Sequence, residues 1–288
     1  MPNVLRTVSR TISHGGVSLP TFLYGTVWKE AETEILTSLA IESGFLGIDT
    51  ANQRRHYYEE GVGNAVRREL DERHLQRKDL FLQSKFTYAA SQDHRLPYDP
   101  KAGYTAQVEQ SLRSSLAHLD TSYLDSYLLH GPASSRGLTE ADWEVWRALE
   151  NLQREGFVKL IGISNCSLEQ LQWLLEKAQI QPAFVQNRCY AHRRWDAEIR
   201  MLCRANDIIY QGFSLLTANS AVLNRREMQE IARRHCCTVE QAVFRFALQS
   251  GMIPLTGTTS KQHMLEDLSV YHIELDDEEM AVIEGIAI

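Results

Sequence analysis

Short apolar runs alternate with helical stripes along almost the whole chain. The runs fall at 22–25, 46–49, 80–85, 124–130, 158–164, 183–187, 208–212 and 252–254. None alternates cleanly between apolar and polar residues, so each reads as a strand covered on both faces rather than one. Between them apolar residues recur at helical spacing. Ile35, Leu36, Leu39 and Ala40 form one stripe, ended by Gly44. Val108, Leu112, Leu116 and Leu119 form another, and Trp143, Trp146, Leu149 and Leu152 a third. Further helices are expected at 59–70, 168–177, 197–205, 228–235, 239–249, 261–268 and 277–283. Two short strands around Gly15-Gly16, within 7–19, read as a hairpin. Eight strands, most followed by a helix, predict an α/β fold: a closed (β/α)8 TIM barrel with an N-terminal β-hairpin. No Gly-, Ser- or Pro-rich stretch suggests a linker, so 1–288 is expected to be a single domain. An open dinucleotide-binding sheet is less favoured, because no GxGxxG follows the first strand.

Composition narrows the function without naming it. The chain has 288 residues, 43% of them hydrophobic and 23% charged, with a net charge of -7. That balance argues against nucleic acid as a partner. No stretch approaches the roughly 20 apolar residues of a membrane helix. The opening MPNVLRTVSR has no apolar run of the signal-peptide kind. The expectation is a cytoplasmic protein that uses neither membrane nor nucleic acid. The cysteines are odd in number and lack metal-ligand spacing, so reduced thiols are expected and no metal.

In a barrel, chemistry gathers where strands end. The expected ends are Gly25-Thr26, Asp49, Lys85, His130, Ser164-Asn165, Gln186-Asn187, Phe213-Ser214 and Thr256-Gly257. Three successive ends therefore carry an acid, an amine and an imidazole. The loop after Asp49 adds Arg54, Arg55, His56, Tyr57 and Tyr58 before Glu59-Glu60 open a helix. Each residue also has a structural reading: Asp49 as a cap or as the salt-bridge partner of Lys85, His130 as a satisfied core histidine. Their convergence on one barrel edge favours the functional reading.

The segments GIDTA at 47–51, LFLQSK at 80–85, LDSYLLHGP at 124–132, IGISN at 161–165 and PAFVQN at 182–187 resemble the signatures of the aldo-keto reductase family, in the family's order. GTVWK at 25–29 and the run 231–259 are similar to its first strand end and its C-terminal part. The resemblance implies NADPH-dependent reduction of an aldehyde or ketone, with Asp49, a tyrosine, Lys85 and His130 as the catalytic set. An ammonium beside a phenol favours the phenolate, so Lys85 is expected to lower the tyrosine pKa while Asp49 holds the amine. The family's DTAxxY spacing would put the tyrosine at 54, which is Arg54, so the loop reads as about two residues longer. Tyr57 is the expected proton donor, with Tyr58 the alternative.

The resemblance assigns Ser164, Asn165 and Gln186 to the cofactor's carboxamide and Phe213 to stacking on the nicotinamide. Gly25 and Thr26 would belong to the same site. Ser214 and Leu216 would run along the pyrophosphate. Gly257, Thr258, Thr259 and His263, at the start of a helix, would face phosphate. Glu266 and Asp267 would hold adenine, with Asp where the family has Asn. Leu255 and His263 replace cationic family positions, so NADPH is expected and NADH is possible. Trp28, Tyr58, Tyr88 and Tyr190, with the loop 87–103, are expected to line the pocket. His130-Gly131-Pro132, without the tryptophan common in relatives, suggests a wide mouth. So does the short stretch after the last expected helix. Two other readings stand: a Schiff-base (β/α)8 lyase or isomerase using Lys85, and a non-catalytic NADPH-binding regulatory barrel. No apolar patch argues for an oligomer, so a monomer is expected.

Overall fold

The computed structural model describes residues 8–287. A hairpin comes first, β1 (Thr11–His14) and β2 (Val17–Pro20). Its expected start at residue 7 lies outside the described residues. Gly15 and Gly16 both take positive φ, 53° and 78°, as a tight turn whose twist matches that of the strands requires. Eight further strands follow: β3 (Leu23–Gly25), β4 (Gly47–Asp49), β5 (Phe81–Phe86), β6 (Leu124–Leu129), β7 (Val158–Ser164), β8 (Phe184–Arg188), β9 (Ile209–Phe213) and β10 (Ile253–Thr256). They pair in parallel in that order, and β10 returns to β3, so the sheet closes on itself.

The surrounding helices are α1 (Thr33–Ser43), α2 (Glu59–Arg73), α3 (Tyr104–His118), α4 (Glu140–Arg154), α5 (Leu168–Lys177), α6 (Ala197–Ala205), α7 (Ser220–Leu223), α8 (Arg226–Arg234), α9 (Val239–Gln249), α10 (Lys261–Ser269) and α11 (Asp277–Gly285). Their starts follow local chemistry. Ser167 and Gln170 satisfy each other's orphan donors at the head of α5, as Thr238 and Gln241 do at α9. Gly44, at φ 111°, closes α1.

The expected (β/α)8 barrel is therefore present, with most boundaries shifted by a residue or two. The expected strand 124–130 stops at Leu129, although the His130 N–H still bonds the Phe86 carbonyl at 2.9 Å. The left-handed run Arg194-Trp195-Asp196 was not expected. It is held by Trp195, which is fully buried and donates to the Ile283 carbonyl at 2.8 Å.

Two apolar regions position the site. The larger packs the outer strand faces against the helices. The smaller fills the N-terminal half of the barrel, where Val17 and Leu19 of the hairpin meet Leu23, Phe81, Leu128 and Leu160. Burying each hairpin side chain contributes roughly 1.5–3 kcal/mol. The hairpin thus plugs one end of the barrel, and the chemistry-bearing strand ends open at the other.

Candidate active site

Residues two apart on a strand share a face, so Gln83 and Lys85 of β5 both point into the barrel. Asp49, at the end of β4, meets them there. Lys85 is fully buried, and its Nζ donates to both Asp49 carboxylate oxygens at 2.8 and 2.7 Å and to the Thr50 carbonyl at 2.8 Å. All its protons are thereby engaged. Burial lowers the Lys85 pKa, and the Asp49 charge and hydrogen bonds oppose that shift. Below the pair lies a girdle of glutamines. Gln83 and Gln186 each donate to Asp49 Oδ1, at 2.7 and 3.0 Å, and each also donates to Gln211 Oε1. The girdle completes the solvation of a buried carboxylate, which is unfavourable without such partners.

Of the two neighbouring phenols, Tyr57 is the one that joins this group. Its ring centroid lies 5.9 Å from that of His130, edge to face, and 5.3 Å from Lys85 Nζ. Its hydroxyl accepts and donates no hydrogen bond among the described residues. Tyr58 instead starts α2, with the Arg54 guanidinium 4.5 Å above its ring. A Cβ at Gly61 would come within 2.9 Å of Tyr58 Cδ1, so the ring packs on its own helix.

The expectation that Lys85 draws the phenol pKa down is corrected here. Burial raises the Tyr57 phenol, and the Asp49 charge adds to it. Desolvation is the larger cause, and Asp49 acts in the same direction. His130 moves the other way: burial, then Lys85 and His56, hold it well below the usual histidine range, so the ring is neutral. Thr87 Oγ1 lies 2.7 Å from its Nδ1, and its carbonyl accepts from Asn165 at 2.8 Å.

The expected cofactor residues line the same mouth. Thr26 bonds the Asp49 carbonyl at the end of β3, beside Gly25. Ser164 spends its proton on the Gln186 carbonyl at 2.7 Å. Asn165 adopts φ 55°. The side-chain oxygens of Asn165 and Gln186 accept no bond among the described residues, which leaves two acceptors for an amide. Phe213 is half-buried at the end of β9, with Arg188 5.7 Å above its ring. Ser214 takes φ 56°, and Leu216 lies in the turn after it.

Ser260 caps α10, behind Gly257, Thr258 and Thr259. Thr258 lies 3.4 Å from the exposed His263. Glu266 is half-exposed on α10, while Asp267 is buried and burial raises its pKa to about 7.

Sequence reasoning missed Lys29. It is 6% exposed, its Nζ donates to the Gly257 carbonyl at 2.7 Å, and it sits 5.1 Å from the centre of the Tyr24 ring. Burial lowers its pKa to about 8. No carboxylate pairs with it among the described residues, so it is a cation poised beside the 257–260 loop. Gln83 and Gln211 were also missed. Their signal was a glutamine at an inward strand position, where a core residue would be apolar.

The pocket expectations divide. Trp28 is 67% exposed and stacks on His56, with centroids 4.0 Å apart. Tyr190 sits in the loop after β8, between His192 and Arg193. Tyr88 is corrected: its ring packs on Phe86 and Tyr104, and its hydroxyl donates to Asp142 on α4 at 2.9 Å. That ties its hydroxyl to the first turn of α4 rather than to the Tyr57 group.

Comparison with known proteins agrees with this geometry. The sequence pattern of the Aldo/keto reductase family matches residues 12–288. The oxidoreductase YtbE of Bacillus subtilis, whose activity is uncharacterised, is 30% identical over 276 residues, covering 95% of this chain and 91% of its own. Glyoxal reductase from the same organism is 29% identical, covering 99% and 95%. The crystal structure of a silkworm aldo-keto reductase, also solved with NADPH, matches with a TM-score of 0.81 at 26% identity, over 96% of this chain and 87% of that one. An aldo/keto reductase from Brucella melitensis matches at 0.80 and 26%, over 96% and 98%. With the family pattern spanning nearly its whole length, this chain belongs to the aldo/keto reductase family.

Proposed function

We propose that this protein reduces the carbonyl group of a small-molecule aldehyde or ketone to the alcohol, with NADPH as reductant. We take it to act as one domain, as a monomer, in the cytoplasm. One observation carries the reading: a phenol with no hydrogen-bond partner among the described residues stands against a neutral imidazole and a buried ammonium–carboxylate pair. Among the described residues no helix is long and apolar enough to cross a membrane.

The residues present suit the cofactor. Lys29 is a buried cation that no carboxylate pairs with among the described residues, which suits a phosphate site. It compensates for Leu255, so NADPH is preferred and NADH is the lesser option. Phe213 offers a ring face, and Asn165 and Gln186 offer free acceptors. Bound NADPH supplies the hydride that reaches the carbonyl carbon. Tyr57 then gives its proton to the carbonyl oxygen. Its raised pKa keeps that proton in place at neutral pH, which suits reduction. If the Thr87 hydroxyl donates to Nδ1, His130 carries its proton on Nε2 and orients the same oxygen.

A Schiff-base role for Lys85 fits poorly, because its amine is sealed in and fully bonded. Gly131 at the mouth, together with relatives that act on glyoxal and prostaglandin F synthases, supports a tolerant site. The test is NADPH oxidation across aldehydes, ketones and dicarbonyls of rising size. Turnover of bulky carbonyls is expected. NADPH binding with no oxidation by any of them would point instead to the regulatory barrel.

Asp267 sets a pH dependence. At a pKa of about 7 it is protonated below neutrality and offers both donor and acceptor, as an asparagine does. Above pH 7 the donor is lost. Relative to Asp267→Asn, the wild-type Kd for NADPH should rise by about tenfold between pH 6 and pH 8, by titration of the binding-competent form. An equal pH profile in both proteins would remove Asp267 from the adenine contact.

A further inference from the structure

The segment carrying Tyr57 is held by another loop. Gln92, in the long loop after β5, is 7% exposed. Its Nε2 donates to the Asn52 carbonyl at 2.7 Å and lies 3.5 Å from the Thr87 carbonyl. The stitching runs both ways: Gln53 donates to the Ser91 carbonyl at 2.7 Å, and Arg95 to the Arg54 carbonyl at 3.1 Å. Asn52 is in turn fixed to α3 through the Ser111 carbonyl at 3.0 Å. Thr87 is the residue whose hydroxyl meets His130. One buried amide thus spans the two segments that orient the phenol and the imidazole.

We propose that Gln92 is a positioning residue for proton delivery. It braces the Tyr57 segment against the Thr87 segment, and it acts through these neighbours rather than on substrate. The proposal rests on Tyr57 and His130 serving as described above. The brace needs the N–H donors of the amide, because both groups it faces are carbonyl oxygens. Its own Oε1 has no hydrogen-bond partner among the described residues.

Two variants test this in the full-length protein. Gln92→Ala removes the donor and should lower kcat on the order of 10- to 100-fold through misplacement of the reacting groups. KM and NADPH affinity should stay within about threefold. In the protein without cofactor, amide hydrogen exchange across 52–57 should quicken about tenfold or more, since those amides lose their anchor.

Gln92→Glu keeps the shape and has a donor only when protonated. Burial against carbonyl oxygens raises its pKa, so the neutral form persists above the usual carboxylate range. Its kcat relative to wild type should be highest at the acid end of the pH 5–8 range and fall as the carboxyl ionises. A merely structural role would move stability without this pH signature. A Gln92→Ala kcat within twofold of wild type, or a Gln92→Glu ratio flat with pH, overturns the proposal. If Gln92→Ala does not fold, the Gln92→Glu profile decides. A wild-type protein without carbonyl turnover would instead show that the functional reading itself has failed, and the proposal with it.

Discussion

Replacing Tyr57 with phenylalanine should lower kcat by about 10²- to 10⁴-fold, the range a positioned general acid contributes. Tyr58→Phe should stay within a few-fold of wild type. The two residues are adjacent in sequence but face different surroundings. Tyr57 meets His130 and Lys85, and its hydroxyl is unclaimed among the described residues. Tyr58 is gripped by Arg54 and by the first turn of α2. NADPH affinity should change little in either variant, because neither hydroxyl belongs to the proposed cofactor contacts. Steady-state kinetics with a cofactor titration check this. A large loss in Tyr58→Phe with Tyr57→Phe near wild type would reverse the assignment. The raised Tyr57 pKa adds a direction: the phenolate needed to oxidise an alcohol forms only at high pH, so the reverse reaction should gain on reduction as pH rises.

Lys85→Met should damage stability and activity together. The change leaves Asp49, which is 3% exposed, without its cation. Breaking a buried pair at one partner costs about 3–5 kcal/mol, since a desolvated charge is left behind. For a chain of this size that corresponds to a Tm lower by roughly 10 °C. The double variant Lys85→Met/Asp49→Asn removes both charges. It keeps an amide that Gln83 and Gln186 can still contact, and it should regain most of the lost stability while remaining poorly active. Thermal unfolding separates the two effects. If the double variant were as unstable as the single one, the amine would be acting through packing rather than charge. If it recovered full kcat, the ammonium would have no part in setting the Tyr57 environment.

The barrel was legible in the chain because its signal is repeated: apolar runs and helical stripes recur eight times, and no single ambiguous element decides the outcome. The set Asp49, Lys85 and His130 was legible for a related reason, since strand ends in a closed parallel barrel must share one rim. Side-chain direction within a loop was not legible. Tyr88 follows Lys85 closely, yet a carboxylate in the first turn of α4 takes its hydroxyl. The sign of the Tyr57 shift was missed because the lysine charge was counted without the burial of the phenol and the Asp49 charge, both of which raise it. Lys29 and Gln92 carry no local pattern. Each is explained only by a partner distant in the chain, such as Gly257 for Lys29 or Asn52 for Gln92.

The N-terminal hairpin has a consequence for turnover. Val17 and Leu19 seal the floor of the barrel, and the glutamine girdle fills the level above it. The cylinder is a vessel with one doorway. If Tyr57 is the acid, as proposed, each proton it spends is replenished from bulk water through the opening by which the alcohol departs, so product exit and recharging of the acid share a single route.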